Sequence, residues 1–264
     1  MQNAIAIMGW NLVAVVAMMV TGWLISVRYR NVTIVDSLWG LGFVLIAWIT
    51  FSLSEGFVGR KLLIAALVTL WGMRLCIFLS KRNWGAGEDP RYGEWRQKSG
   101  ERFWLVSLFK VFLLQACFMW AIALVLQLGQ LSPTPGQFIW LDMVGVFIWL
   151  IGFFFEAVGD WQLARFKANP ATKGRVMDRG LWAYTRHPNY FGEFLIWWGF
   201  FIITLSTPNS WWTVISPIIV TAVLLKMTGI PLTEGTIVKS RPGYTDYIKR
   251  TSAFVPWFPK REVT

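Results

Sequence analysis

The chain has 264 residues, 55% of them hydrophobic and 17% aromatic, and carries 25 Lys and Arg against 14 Asp and Glu, a net charge of +11. A mean hydropathy of +0.50 excludes it from the ordinary soluble class. Its single histidine and two cysteines exclude a disulfide scaffold and leave no metal ligand set.

Seven apolar stretches follow one another along the chain, at 4–27, 34–54, 61–80, 104–128, 138–158, 190–206 and 209–230. A span needs roughly 20 such residues to cross a bilayer. Only helices and closed barrels satisfy their backbone in lipid, and the alternation of a barrel strand is absent. The stretches therefore predict an all-α integral membrane protein with seven transmembrane helices. The first has no basic lead-in and is followed by Arg28-Tyr29-Arg30, so it reads as a retained span rather than a cleaved signal. Cys76 and Cys117 fall in spans and read as buried thiols.

Basic residues crowd alternate connectors: after the first span, between 81 and 102, between 159 and 189, and in the tail from Pro231. The connectors "LGQLSPTPGQ" and "STPNS" carry no charge. This asymmetry predicts an N-terminus outside and a C-terminus in the cytoplasm. The charge excess then serves orientation and attraction to lipid headgroups, not nucleic acid. No linker or repeat divides the chain, so one domain over 1–264 is expected. The fifth span is expected to continue as helix into its connector and break near Asn169-Pro170. The chain then turns at Gly174 and Gly180 and resumes as helix near Asn189, with Pro188 in the first turn.

Ionisable residues at membrane depth mark function by default. Here they are Asp36, Arg74, Glu156, Glu193 and Lys226. Asp36 is the expected partner of Arg74, and Lys226 is expected to snorkel. Asn189 and Glu193 are four residues apart and share a helix face, which Trp197 continues. Glu156 and Asp160 repeat that spacing. Two acidic faces thus flank one basic loop and suggest a polar pocket opening to the cytoplasm. Arg186, His187 and Tyr190 join Asn189 and Glu193 in one constellation. No nucleophile elbow accompanies the histidine. "WGLGF" at 39–43 lacks the third glycine of a dinucleotide fingerprint.

"GLWAYTRHPNYFGEFLIWWG" (180–199) resembles the C-terminal signature of the membrane steroid 5α-reductase family, in its compact bacterial branch. "VDSLWG" (35–40), "LWGMRL" (70–75), "GIPLTE" (229–234) and "SRPGYTDYIKRTSAFVPWFP" (240–259) extend the resemblance over most of the chain. The Arg-His-Pro-x-Tyr-x-Gly core is also similar to isoprenylcysteine carboxyl methyltransferases and sterol C14 reductases. The resemblance implies a seven-helix bundle in a bacterial cell membrane, its site loops on the cytoplasmic side. It implies NADPH as cofactor, a 3-oxo-Δ4-steroid or other lipid enone as substrate, no metal, and a monomer. Residues 1–130 would form mainly the substrate side and 138–264 mainly the NADPH half.

Carried over by motif, Asn189 and Glu193 match residues at the nicotinamide carboxamide, and Asp160 matches an aspartate on the adenosine side. Glu156 stands where relatives have Asn, and Lys167 where they have a phosphate-binding Arg. Arg175 or Arg179 would serve likewise, with Tyr184, Arg186, His187, Arg241 and Tyr244 as further candidates. At the substrate end Asp36 falls where relatives have Glu, and Trp71 and Arg74 replace a Tyr. These three are the expected catalytic residues, a protonated Asp36 with Arg74 or Trp71 polarising the enone oxygen. Two alternatives stay open: an S-adenosylmethionine-dependent membrane methyltransferase, and a non-catalytic lipid-binding or transport protein.

Overall fold

The computed structural model describes residues 2–227 and 229–260, and is helical throughout its regular elements. It divides into two compact units, Met1–Ile139 with Thr204–Thr213, and Trp140–Ile203 with Val214–Thr264.

The first unit holds α1 (Gln2–Tyr29), α2 (Ile34–Leu53) and α3 (Val58–Asn83). After them come α4 (Pro90–Ser99) and α5 (Phe103–Ser107), which passes through a π-helical segment, Leu108–Leu113, into α6 (Leu114–Ile122) and α7 (Leu124–Leu128). Helix α2 packs on both α1 and α3. Gly40 and Gly72 let α2 and α3 touch, because a Cβ on Gly40 would fall 2.4 Å from the Gly72 carbonyl oxygen. Small residues allow such approach where lipid gives no hydrophobic drive for helix association. Helix α4 starts by local rule: Asp89 caps it by accepting from the Arg91 N–H, and Pro90 opens its first turn.

The second unit holds α8 (Trp140–Ala168), α9 (Pro188–Thr204), α10 (Ile215–Ala222), a π-helical Val223–Met227, α11 (Ile230–Ser240) and α12 (Tyr244–Arg250). Helices α8 and α9 run antiparallel along a glycine seam. A Cβ on Gly145 would meet the Gly199 oxygen at 2.7 Å, and one on Gly152 the Gly192 oxygen at 2.6 Å. One on Gly159 would lie 3.2 Å from the Asn189 nitrogen. The seven-residue spacing of these glycines on α8 keeps one face of the helix against α9.

Among the described residues, six helical runs are long and apolar enough to cross a membrane: Ala4–Tyr29, Ile34–Leu53, Val58–Asn83, Pro90–Ile122, Trp140–Ala168 and Trp211–Ser240. Thr228, in the last expected span, lies outside the described residues. The expected span 190–206 forms as α9, with 17 residues. At ~1.5 Å per residue it measures only ~26 Å, against ~30 Å of hydrocarbon. Helix α8 ends at Ala168 before Asn169-Pro170, and Gly174 and Gly180 take positive φ of 80° and 61°. Those breaks, and the start of α9 at Pro188, follow the sequence reading. Two expectations are corrected. Cys117 is exposed rather than buried, because its face of α6 points outward. Asp36 pairs with Arg82, at 3.4 Å, rather than with Arg74. Arg82 lies eight residues beyond Arg74 on α3, a rise of ~12 Å. Arg60 and Lys61, in the first turn of α3, are buried: Arg60 Nη2 donates to the Gln137 oxygen at 3.3 Å and Lys61 Nζ to the Ser54 oxygen.

Candidate functional site

The antiparallel seam of α8 and α9 determines which polar residues meet. Asn189 Nδ2 donates to Asp160 Oδ1 at 3.1 Å. One turn deeper, a Cβ on Gly192 would fall 2.4 Å from the Glu156 nitrogen, so Glu193 stands at the level of Glu156. The four residues lie at two rungs of height along the seam, Asp160 hydrogen-bonded to Asn189 at one and Glu156 and Glu193, on the facing helices, at the other. Glu156 and Asp160 are 4% and 5% exposed, a depth at which carboxylates require donors. Trp197 and Trp149, both buried, extend the seam into the apolar interior. Lys167 is seven residues after Asp160, ~20° from it around α8, and exposed.

Arg186 and His187 form a second cluster with a partner the sequence reading did not assign, Glu234 of "GIPLTE". Arg186 Nε and Nη2 reach Glu234 Oε1 and Oε2 at 2.7 and 3.3 Å, and His187 Nε2 is 3.0 Å from Oε1. Arg186 Nη1 also donates to the Ile248 and Thr251 oxygens at 3.1 and 2.6 Å. Its backbone N–H donates to Ser252, and Thr185 Oγ1 donates to Phe254. The His187 ring stacks parallel to Tyr190 at 5.2 Å, and Tyr190 Oη is 3.1 Å from Thr233 Oγ1. Arg186 is 8% and His187 2% exposed. This triad fastens the C-terminal segment onto the start of α9, one residue before Pro188. Tyr244 is buried here, and burial together with the nearby Glu234 carboxylate pushes its phenol well up. Tyr184 is exposed, its carbonyl oxygen accepting from the Trp257 N–H.

Arg175 and Arg179 are not on the Asp160 face. They line a cleft of about 720 Å³ with Trp161, Arg165 and Arg250. On α8 the contributing positions centre ~140–180° from Asp160. Arg241 Nη1 donates to the Arg175 carbonyl oxygen at the rim of this region. The sequence signal for the cleft was the run of basic residues; its azimuth was not readable without the seam.

In the first unit Trp71 is fully buried against Phe43, ring centroids 5.6 Å apart. Arg74, three residues on, shares its face of α3, with its guanidinium 5.9 Å from the Phe78 ring centre. Asp36 lies at the polar end of α3 instead, where Asn83 also approaches it at 3.5 Å. Close by, Glu88 accepts from Arg96 at 2.7 and 2.8 Å and from the Val32 N–H at 2.9 Å. Burial alone would raise the Glu88 carboxyl, but these hydrogen bonds outweigh it and hold it below the usual glutamate range. Among the described residues no group of three or more His, Cys, Asp or Glu is arranged to hold a metal.

An uncharacterized protein of Schizosaccharomyces pombe is 27% identical over 263 residues, which cover 89% of this chain and 75% of that protein. No solved structure matches. The family model described as protein of unknown function (DUF1295) matches residues 22–251, a range that encloses both polar rungs and the Arg186–Glu234 triad. This multi-pass membrane chain therefore belongs to the DUF1295 family of proteins of unknown function.

Proposed function

We propose that the chain is a membrane oxidoreductase that uses NADPH to reduce the Δ4 double bond of a 3-oxo-Δ4-steroid such as testosterone or progesterone, or of a related lipid enone. The carrying observation is the Asn189–Asp160 hydrogen bond with Glu156 and Glu193 one turn deeper. Its donor set fits the cofactor's polar groups. Asn189 gives one of its two N–H donors to Asp160 and keeps its carbonyl oxygen for another donor, and the Glu193 carboxyl oxygens accept. A carboxamide NH2 suits that pair, and ribose hydroxyls suit Glu156 and Asp160. Phosphates would be repelled there, and Lys167, on the same face beyond them, is the cation for the phosphate end.

When bound, NADPH supplies the hydride that adds to C5, the β-carbon of the enone; C4 then takes a proton. Negative charge develops on the 3-oxo oxygen, and a donor aimed there lowers the barrier. We assign that role to Arg74 and Trp71, whose guanidinium and indole N–H groups share a face of α3. Asp36, whose partner Arg82 lies ~12 Å along α3 from Arg74, is assigned to holding the helix ends. Arg186 and His187 are assigned to positioning α9 rather than to contacting the cofactor. With α9 as a seventh span, the N-terminus lies outside and the polar loops face the cytoplasm of a bacterial cell membrane, where NADPH is available.

The test is NADPH oxidation by detergent-purified protein with progesterone and testosterone, read with product stereochemistry. The expected result is the 5α product, with Glu193→Gln weakening NADPH binding and sharply lowering turnover. A thermal shift with S-adenosylmethionine but none with NADPH would reject the assignment in favour of methyl transfer.

A further inference from the structure

The cleft on the far side of α8 is unused by the site above. Trp161 is 56% exposed there, and Arg165 lies over its ring at 5.6 Å. Arg175 and Arg179 stand exposed across from them on the 173–180 loop, with Gly174 and Gly180 bending that loop at positive φ. Asp178 is neutralised by Arg250 at 2.5 Å. Among the described residues Arg165, Arg175 and Arg179 have no carboxylate partner, so three guanidinium charges converge on one cleft.

Depth argues for the occupant. Helix α8 has 29 residues, ~44 Å at 1.5 Å each, well beyond the ~30 Å hydrocarbon core. If the core ends near Gly159, Trp161 lies ~3 Å and Arg165 ~9 Å past it. That is headgroup level, where exposed tryptophan anchors a span and basic pockets take anionic lipid. The volume, about 720 Å³, is that of a ligand pocket.

We propose that this cleft binds the phosphate headgroup of an anionic phospholipid, with Trp161 at the acyl–headgroup boundary and Arg165, Arg175 and Arg179 on the phosphate. The site is separate from the Asp160–Asn189 face, and its occupancy does not depend on the reductase reading.

The experiment is native mass spectrometry of the full chain, delipidated and titrated with phosphatidylglycerol or phosphatidylcholine. Wild type should retain phosphatidylglycerol and not phosphatidylcholine. A triple Arg165→Gln, Arg175→Gln, Arg179→Gln variant should lose affinity on the order of 100-fold, from about one near-surface cation each. The single Arg179→Gln, an exposed change that guards against misfolding, should lose about five-fold. Equal retention of the two lipids, or an unchanged single and triple variant, would overturn the proposal. So would displacement of phosphatidylglycerol by millimolar NADPH, which would give the cleft to the dinucleotide. NADPH binding measured separately by thermal shift judges the reductase reading on its own.

Discussion

Replacing Gly192 by alanine tests the seam that assembles the polar rungs. The added Cβ would fall 2.4 Å from the Glu156 nitrogen and 2.5 Å from the Gly152 oxygen. Both are backbone atoms, so no side-chain rotation relieves the clash. An ordinary contact requires α8 and α9 to separate by ~1 Å, and such overpacking costs about 1–3 kcal/mol. For a chain of this size that is a fall in melting temperature of about 2–12 °C. The same shift would stretch the Asn189–Asp160 bond from 3.1 Å to about 4 Å, past hydrogen-bonding range. Gly235→Ala is the control: it lies inside α11 with no atom within 4 Å of its Cβ. Alanine favours helix there by about 1 kcal/mol, so its melting temperature should hold or rise. Thermal unfolding in detergent compares the two. Equal melting temperatures would refute the seam argument, and a melting loss without weaker NADPH binding would separate the seam from the cofactor reading.

Glu234→Gln keeps the shape of the triad but removes the charge facing Arg186 and His187. The loss should be on the order of 2 kcal/mol, and limited proteolysis should cut the 240–260 segment faster than in wild type; an unchanged digestion pattern would deny Glu234 its fastening role. Glu88, whose carboxyl is held low by Arg96 and the Val32 N–H, stabilises the fold fully above the ordinary glutamate range. That contribution disappears as pH falls through its lowered value. Melting temperature should therefore drop on acidification below about pH 4.5 more steeply in wild type than in Glu88→Gln, and parallel curves would exclude the effect.

Much of the architecture was legible because its signals are local. Asn169-Pro170 ends α8, Pro188 opens α9, and Gly174 and Gly180 turn the loop between. Each follows from the φ limits of proline or the freedom of glycine. The pairing of Asn189 with Asp160 was half legible: each shared a face with a glutamate by four-residue spacing, and only the seam joined the faces. Arg186 and His187 were visible as a constellation, but Glu234 was not assigned to it. It lies 48 and 47 residues away, and nothing in the spacing of "GIPLTE" says where that helix returns.

Composition and hydropathy by themselves determined that this is a multi-pass helical membrane protein, because apolar length and backbone satisfaction in lipid leave no other solution. Tertiary structure alone decided the azimuths. It put Asp36 against Arg82, buried Arg60 and Lys61, and turned Arg175 and Arg179 to the side of α8 away from Asp160. Such choices depend on which glycine-lined faces can approach within backbone contact. That property belongs to pairs of helices, and no single stretch of sequence records it.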